Sequence, residues 1–239
     1  MLLRNMVAKF LRNPLLVIRN AVYKLTVGRL KYAKGDDYDA ERYWRDRFDK
    51  YGLSLQGAGD EGVDAEGNRR AYEAAIRQLA DLCRQEGVDF ARASVLEIGV
   101  GTGFYTQWLE QAGVTRYVGL DITDTLFPAL TAKHPGFRFI KQDVTQQAIA
   151  GTFDAVFMID VVEHIVTEEK LTAAMEHVKG CLAPGGVFFL TGVQQRHGKS
   201  LFYVYCWVPE DIRKRFDGFP CKGPIPYFGN NLMIFRKPA

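Results

Sequence analysis

From residue 93 onward, the chain alternates between short apolar runs and longer segments in which apolar residues recur every three or four positions. The short runs predict buried strands at 93–98, 116–120, 137–141, 153–159 and 186–191. The longer segments predict amphipathic helices at 103–112, 124–133 and 167–182. Apolar strands separated by helices are typical of a parallel sheet that is covered on both faces. The pattern therefore predicts an α/β fold with a doubly wound sheet.

The C-terminal part of the chain predicts two further strands. Residues 225–228 and 232–235 are largely apolar and flank Gly229 and Asn230, a pair that favours a tight turn. The resulting antiparallel hairpin would close one edge of the sheet and make it seven-stranded and mostly parallel. A further helix is predicted over 208–216, where Pro209 suits the first turn.

The first part of the chain reads as helical. Apolar residues recur at helical spacing over 1–27, 38–50 and 69–86. Residues 51–68 are rich in glycine and aspartate and predict a loop. We therefore divide the chain into an N-terminal helical extension and cap with a Gly-rich loop at 1–68, and an α/β domain at 69–239.

Charge is unevenly distributed along the chain. Residues 1–34 carry eight Lys or Arg and no Asp or Glu, and the remaining 23 basic and 28 acidic residues give residues 35–239 a net charge of −5. This acidic body argues against a nucleic-acid partner. A basic amphipathic helix suits the surface of an anionic membrane, and it equally suits packing on its own domain or on a partner. A mitochondrial transit peptide is a third, less fitting interpretation, because the segment lacks serine.

Cysteine usage and hydropathy suggest where the chain works. Its four cysteines form no Cys-x-x-Cys pair, and no His, Cys or Asp cluster has the spacing of a metal site. We expect a cytoplasmic protein that binds no metal, with peripheral membrane contact through residues 1–34 if that segment meets lipid. The longest apolar run near the start, Leu15–Ile18, is far too short to span a bilayer.

The glycine-rich stretch after the first predicted strand of the α/β domain is the main candidate for chemistry. Glu97 precedes Gly99, Gly101 and Gly103, and a helix is predicted to follow. Glycines allow a sharp turn and a close approach of ligand to backbone. The spacing does not fit a dinucleotide site, because a third glycine three positions after the second is missing. An acid directly before the turn favours a cationic or amino-bearing ligand instead.

This stretch, Val95-Leu-Glu-Ile-Gly-Val-Gly-Thr-Gly103, resembles the first motif of class I S-adenosylmethionine-dependent methyltransferases. Asp160–Ile165 and Leu182–Gly186 resemble the fourth-strand motif and the turn before the fifth strand in the small-molecule, methyltransferase type 11/12-like branch. The resemblance covers about 93–195. It implies a Rossmann-like methyltransferase fold, an enzyme, and S-adenosylmethionine as cofactor. The fourth motif is not the Asn/Asp-Pro-Pro-Tyr/Phe type, which argues against methylation of nucleobases.

Four acids fall at successive predicted strand ends, where parallel strands place ligands: Glu97, Asp121, Asp143 and Asp160. Asp121 can accept both ribose hydroxyls, and Asp143 can accept from an adenine amine while Ile122 and Val144 enclose the ring. Asp143 could instead cap a short helix at 145–149. The resemblance assigns the ribose and adenine roles to Asp121 and Asp143. The predicted cofactor set is Glu97, Gly99, Gly101, Thr102, Gly103, Asp121, Ile122, Asp143, Val144 and Asp160.

Methyl transfer to a hydroxyl benefits from a general base. Candidates are His164 and Glu163, directly after the fourth predicted strand, and His197, in the segment where the family builds its acceptor pocket. His164 could equally be a structural histidine, and His197 could lie in a plain surface loop.

The sequence thus predicts methyl transfer to a small-molecule acceptor, most simply at oxygen, with the N-terminal segments and residues 192–230 capping the pocket. A glycan, a lipid-linked compound, a secondary metabolite or a quinone precursor are the acceptor classes considered. The alternatives are a protein or RNA methyltransferase and a non-catalytic module that binds S-adenosylmethionine. The sequence is silent on oligomeric state.

Overall fold

The computed structural model describes residues 22–59, 63 and 65–239. Its α-helices are α1 (Val27–Tyr32), α2 (Ala40–Tyr51), α3 (Leu55–Ala58), α4 (Ala65–Gln85), α5 (Phe104–Gln111), α6 (Phe127–Lys133), α7 (Glu168–Cys181) and α8 (Pro209–Arg213). Its strands are β1 (Ala33–Lys34), β2 (Asp37–Tyr38), β3 (Ser94–Ile98), β4 (Arg116–Asp121), β5 (Arg138–Lys141), β6 (Phe153–Met158), β7 (Leu182–Val193), β8 (Gly198–Leu201), β9 (Val204–Cys206), β10 (Cys221–Tyr227) and β11 (Asn230–Arg236). A single 3₁₀ turn, Val162–His164, follows β6.

A seven-stranded sheet forms the centre of the molecule, in the order β10-β11-β7-β6-β3-β4-β5. The five strands from β7 to β5 are parallel, and Leu96 of β3 lies between Val118 of β4 and Val156 of β6. Strand β11 runs antiparallel to both β7 and β10. The predicted fold class is confirmed, including the C-terminal hairpin at the sheet edge.

Alternation along the strands divides the core into two layers. Leu96 of β3 packs with Met175 of α7 and Phe235 of β11 on one face of the sheet. Val95, the next residue along β3, packs with Leu79 of α4 and Leu109 of α5 on the other face. Because successive strand residues point to opposite faces, both faces of the sheet are buried under helices.

The N-terminal part differs from the sequence prediction in several places. The predicted loop at 51–68 contains α3, whose first turn is capped by Ser54 through its hydroxyl, and the first residues of α4. The short β1–β2 and β8–β9 hairpins were not predicted. Most of the amphipathic segment predicted over 1–27 lies outside the described residues. The division into a cap at 1–68 and a domain at 69–239 stays a prediction.

An aromatic cluster joins this N-terminal part to the sheet domain. We call the cluster of Tyr32, Tyr38, Tyr43, Phe202 and Tyr203 the aromatic cap. Tyr43 stacks on Tyr203 with ring centroids 4.6 Å apart, and the Tyr38 hydroxyl donates to the carbonyl of His164 at 3.1 Å. The cap therefore sits over the turn that follows β6. This position makes it one wall of whatever opens at the carboxyl ends of the strands.

Candidate active site

A large cavity opens at the carboxyl ends of β3, β4, β5 and β6. It holds about 1070 Å³ of empty space, including the portion open to solvent. One end is lined by the glycine turn, Asp121, Ile122 and Asp143, and the other by Tyr38, Trp44 and His164. The glycine turn and the aromatic residues therefore face one shared space.

The turn after β3 depends on its glycines. Gly99 and Gly103 have φ values of +80° and +75°, and a Cβ at either position would collide with the side chain of Val161 or of Leu130. Two backbone amides, of Gly99 and Val100, donate to the carbonyl of Leu120 at 2.7 and 3.1 Å, which ties the turn to β4. Gly101 and Thr102 line the cavity with Gly99. The turn thus presents bare backbone to a ligand.

Asp121 ends β4 at the wall of the cavity and is 8% exposed. Its Oδ2 accepts from the Gly101 amide at 3.0 Å, and its Oδ1 accepts from the Thr123 amide at 3.2 Å. Burial raises the pKa of this carboxyl to about 6. Each oxygen keeps a further lone pair, so the fixed carboxylate can accept two hydroxyl donors from a ligand.

Ile122, Asp143 and Val144 line the cavity next to Asp121. The helix that Asp143 could have capped does not form. Asp143 Oδ1 instead accepts from both the amide and the hydroxyl of Thr145, at 2.8 and 2.7 Å, in a local turn. The other oxygen, Oδ2, is the one that can meet an amine on a ligand. All three residues thus line the cavity, and their assigned roles at an adenine ring stay predictions.

Of the other two predicted acids, Glu97 and Asp160, only Asp160 lines the cavity. Glu97 does not line the cavity: its Oε2 accepts from the Tyr117 and Thr106 hydroxyls at 2.6 and 2.8 Å on the helix α5 side of β3. Burial raises the pKa of Glu97 to about 7. Asp160 does line the cavity, with a φ of +54° that non-glycine residues seldom adopt.

Two residues that the sequence analysis did not connect with the site hold Asp160 in place. The Thr191 hydroxyl and the Asn230 side-chain amide donate to Asp160 Oδ1 at 2.8 and 3.1 Å. Burial raises the pKa of Asp160 above its ordinary value. No local signal could have found these partners, since they lie 31 and 70 residues further along the chain.

The three candidate bases are separated by the structure. His164 lines the cavity, whereas Glu163 packs against Gly192 and His197 lies near Asp211, both away from the cavity lining. Burial raises the pKa of Glu163 well above its ordinary range, and Glu163 Oε2 has no hydrogen-bond partner among the described residues. His197 is half exposed and lies 3.4 Å from Asp211 through its Nε2.

His164 is held in one tautomer. Its Nδ1 lies 2.9 Å from the carbonyl oxygen of Tyr203. Because a carbonyl only accepts, Nδ1 carries the proton and Nε2 carries the lone pair. The ring also contacts Trp44 edge to face, with centroids 4.8 Å apart. Burial lowers the pKa of His164 to about 4, so the imidazole is neutral at physiological pH.

The cavity mouth carries an ion pair that the sequence analysis missed. Lys170, in the first turn of α7, contacts Asp37 Oδ2 at 2.6 Å, and both residues line the cavity. The second oxygen, Asp37 Oδ1, is buried without a hydrogen-bond partner among the described residues. A buried acceptor of this kind favours a donor group on a ligand.

One group of potential metal ligands lies outside the cavity. Single ligand atoms of Glu168, His197 and Asp211 lie within 4.8 Å of one another. Lys214 and Arg215 already approach these carboxylates, at 3.4 Å from Asp211 and from Glu168 respectively. Independence from metals stays a prediction.

The central part of the chain matches a known protein family. Residues 96–190 match a family model described as "Methyltransferase domain". The matched part begins in β3 and ends within β7, so it contains the whole predicted cofactor set, from Glu97 to Asp160. The comparison with curated proteins found no match.

Solved structures share the fold over most of the chain. One is magnesium protoporphyrin IX methyltransferase from Synechocystis PCC 6803 with bound S-adenosylmethionine: 21% identity, TM-score 0.63, covering 83% of this chain and 97% of that one. The N-methyltransferase NodS from Bradyrhizobium japonicum WM9, with S-adenosylhomocysteine, has 18% identity and a TM-score of 0.60, covering 81% and 99%. DesVI from Streptomyces venezuelae has 18% identity and a TM-score of 0.57, covering 70% and 92%.

Proposed function

Because the chain contains a class I S-adenosylmethionine-dependent methyltransferase domain, we propose that it methylates a hydroxyl oxygen of a small, largely apolar acceptor. The predictions of this family, of an enzyme and of S-adenosylmethionine as cofactor are confirmed. The choice of oxygen and of an apolar acceptor is our proposal. The observation that carries it is the neutral His164, with its Nε2 lone pair, in an aromatic-lined end of the cofactor cavity.

The residues of the glycine-turn end fit the cofactor. The bare backbone of Gly99 and Gly101 can lie against its methionine portion, and the two oxygens of Asp121 can accept from its ribose hydroxyls. Asp143, Ile122 and Val144 suit the adenine. When bound, S-adenosylmethionine supplies a methyl group that its sulfonium has already activated, so the protein's task is positioning and removal of a proton.

His164 suits that second task. His164 Nε2 would accept the proton of the acceptor hydroxyl, and Nδ1 would keep its hydrogen bond to the carbonyl of Tyr203. A neutral amine attacks through its own lone pair and loses its proton afterwards, whereas a hydroxyl becomes a good nucleophile as its proton leaves. A preoriented base therefore favours an oxygen acceptor.

The acceptor end of the cavity supports an apolar molecule with one polar group. Tyr38, Trp44 and Ile165 give it an apolar wall, and Asp37, whose Oδ1 has no hydrogen-bond partner among the described residues, also lines the cavity. A flat ring with a second hydroxyl, as in a quinone precursor, fits both features. One structural neighbour is named for a porphyrin substrate and another as an N-methyltransferase, so the fold accommodates different acceptors.

The proposal is tested by isotope transfer. We expect purified protein, incubated with methyl-deuterated S-adenosylmethionine and an extract of its own cells, to label a compound that partitions into the organic phase, and mass spectrometry should place the label in a methyl ether. Label in protein or RNA, or on nitrogen, would contradict the proposal. Absence of any transfer by a protein that binds the cofactor would favour a non-catalytic module.

Cofactor affinity should depend on pH through Asp121. The ionised carboxylate is the stronger acceptor for hydroxyl donors, and burial raises its pKa to about 6. Affinity should therefore be level above that pH and fall as the pH drops, by at most about tenfold per unit. Calorimetry between roughly pH 5 and 7.5 measures this. An Asp121→Asn variant should be flat over the range, whereas Glu97→Gln should keep the wild-type slope.

We also propose that the enzyme works in the cytoplasm. All four cysteines are free, and Cys83 and Cys181 are buried. Free cysteines are typical of proteins in reducing compartments. Fractionation of cells that express the tagged full chain tests this, and recovery with extracellular or periplasmic material would contradict it.

A further inference from the structure

The helical segment that leads into the aromatic cap carries several exposed apolar residues. A helical turn at 22–25 joins α1 through Thr26, whose φ of −119° and ψ of −85° are not helical, and hydrogen bonds from Thr26 to Val22 and from Leu30 to Thr26, at 3.0 and 2.9 Å, span this junction. We call residues 22–32 the entry helix. Val22, Leu25 and Leu30 are 54%, 65% and 88% exposed. A helix on a soluble domain usually turns polar residues to water.

The other face of the entry helix is already used. Gly28 and Tyr32 are buried, and a Cβ on Gly28 would lie 3.2 Å from the Phe202 ring. Lys24 lies over the Tyr203 ring at 5.8 Å from its centroid. The helix thus docks on the aromatic cap through Gly28 and Tyr32, whereas Val22, Leu25 and Leu30 remain exposed.

This surface is unusual within the molecule. Seven large hydrophobic residues are exposed in the described part of the chain, and five of them are in the entry helix: Val22, Tyr23, Leu25, Val27 and Leu30. The other two, Leu53 and Phe228, are single exposed residues elsewhere. Five exposed apolar residues within positions 22–30 indicate a contact surface, whereas single exposed residues need no explanation.

Charge identifies the partner. Residues 1–34 contain eight basic residues and no acidic ones, while residues 35–239 have a net charge of −5. A second copy of the chain on the same patch would bring two such basic segments together, which is unfavourable. Apolar residues flanked by positive charge suit an anionic lipid surface. Among the described helices none is long and apolar enough to cross a membrane.

We propose that the entry helix lies in the headgroup region of an anionic lipid surface, with Leu25 and Leu30 inserted and the net positive charge of residues 1–34 attracted to lipid phosphates. Two of these charges are already paired within the protein, Lys31 with Asp46 at 2.7 Å and Lys34 with Asp39 at 3.0 Å. The helix leads directly into β1 and β2, and Asp37 and Tyr38 of β2 line the cavity. Docking would therefore hold the cavity close to the lipid. A cavity held close to the lipid would give a lipophilic acceptor a short path from the bilayer to His164. This consequence rests on the proposed function, whereas the docking of the entry helix does not.

Vesicle flotation of the full-length protein tests the docking. We expect it to float with vesicles that contain phosphatidylglycerol, less with phosphatidylcholine alone, and less at high salt. Replacing both Leu25 and Leu30 by Glu should lower partitioning roughly tenfold or more, because two inserted side chains are lost and two like charges face the lipid. The matched control is Leu53→Glu, another exposed leucine, which should float like wild type.

Other outcomes would overturn the proposal. Equal flotation of wild type and the Leu25→Glu/Leu30→Glu variant would remove the entry helix from any lipid contact. A wild-type dimer that the double variant converts to monomer, without vesicle binding, would assign the patch to a second copy. A lowered melting temperature in the double variant, again without vesicle binding, would show that the chain's own residues 1–21 cover it. Calorimetry with S-adenosylmethionine on each variant reports separately on the cofactor site, so failure of docking is distinguishable from failure of the proposed function.

Discussion

Replacing Asp121 by alanine is expected to weaken S-adenosylmethionine binding by roughly 30- to 150-fold, which corresponds to about 2–3 kcal/mol. Asp121 is the cavity carboxylate that two backbone amides fix in position, at 3.0 Å from Gly101 and 3.2 Å from Thr123. Two charge-assisted hydrogen bonds to ribose would be lost with it. Titration calorimetry with S-adenosylmethionine and S-adenosylhomocysteine measures the change.

The alanine variant also removes the acceptor for the Gly101 amide, so part of the loss could come from a loosened glycine turn. Asp121→Asn separates the two effects, because the amide keeps one oxygen for a backbone donor and lacks the charge. Thermal unfolding of both variants reports on the turn. The matched control is Asp124→Ala, whose side chain is 62% exposed. An affinity for Asp121→Ala within a few-fold of wild type would mean that the ribose is held elsewhere.

Features that depend on neighbouring residues were predictable. The strand β3 and the glycine turn follow from a local apolar run and from three glycines that all adopt positive φ. The five parallel strands follow from the same kind of pattern. Acids at successive strand ends meet at one edge because parallel strands share a direction, and Asp121, Asp143 and Asp160 all line the cavity.

Which face of a strand a side chain takes was harder to predict. Glu97 lies in β3 between Leu96 and Ile98, which belong to the layer with α7, so the two-residue period turns Glu97 to the opposite layer. There Tyr117 and Thr106 supply its donors. Glu97, which we expected beside the ligand, instead points to the α5 side of the sheet and does not line the cavity. Its part in cofactor binding stays a prediction.

The acceptor end could not have been predicted from local pattern. Tyr38 reaches the carbonyl of His164 across 126 residues of chain, and His164 Nδ1 reaches Tyr203 across 39. Lys170 of α7 contacts Asp37 of β2 across a similar separation in sequence. Such contacts form only when the aromatic cap packs against the sheet domain. In addition, strands of two residues such as β1 and β2 are too short to show periodicity in the sequence.

Three candidate bases were equivalent in the sequence, and only His164 lines the cavity in the structure. Replacing His164 by asparagine is therefore expected to lower kcat roughly a hundredfold or more, since a positioned general base contributes about that much. Asparagine suits the test because its side-chain amide can still donate to the Tyr203 carbonyl while no basic lone pair remains. The measurement is single-turnover methylation of the labelled acceptor, with calorimetry expected to show unchanged affinity for S-adenosylmethionine. The matched control is His197→Asn, which should retain wild-type turnover.

The pH profile distinguishes a base from a merely structural histidine. Because burial lowers the pKa of His164 to about 4, the base is already neutral well below physiological pH. The wild-type rate at saturating cofactor should then stay level down to about pH 5.5, whereas a base with an ordinary pKa near 6.5 would lose most of its activity there. The same pKa shift also affects stability. Below about pH 6.5 the histidine takes up a proton in the unfolded chain but not in the folded one, which favours unfolding. The unfolding free energy of wild type should therefore fall more than that of His164→Asn as the pH is lowered towards 4. A His164→Asn variant that turns over at a near-wild-type rate, while showing this smaller loss of stability, would assign His164 a structural role and leave the proton to another group.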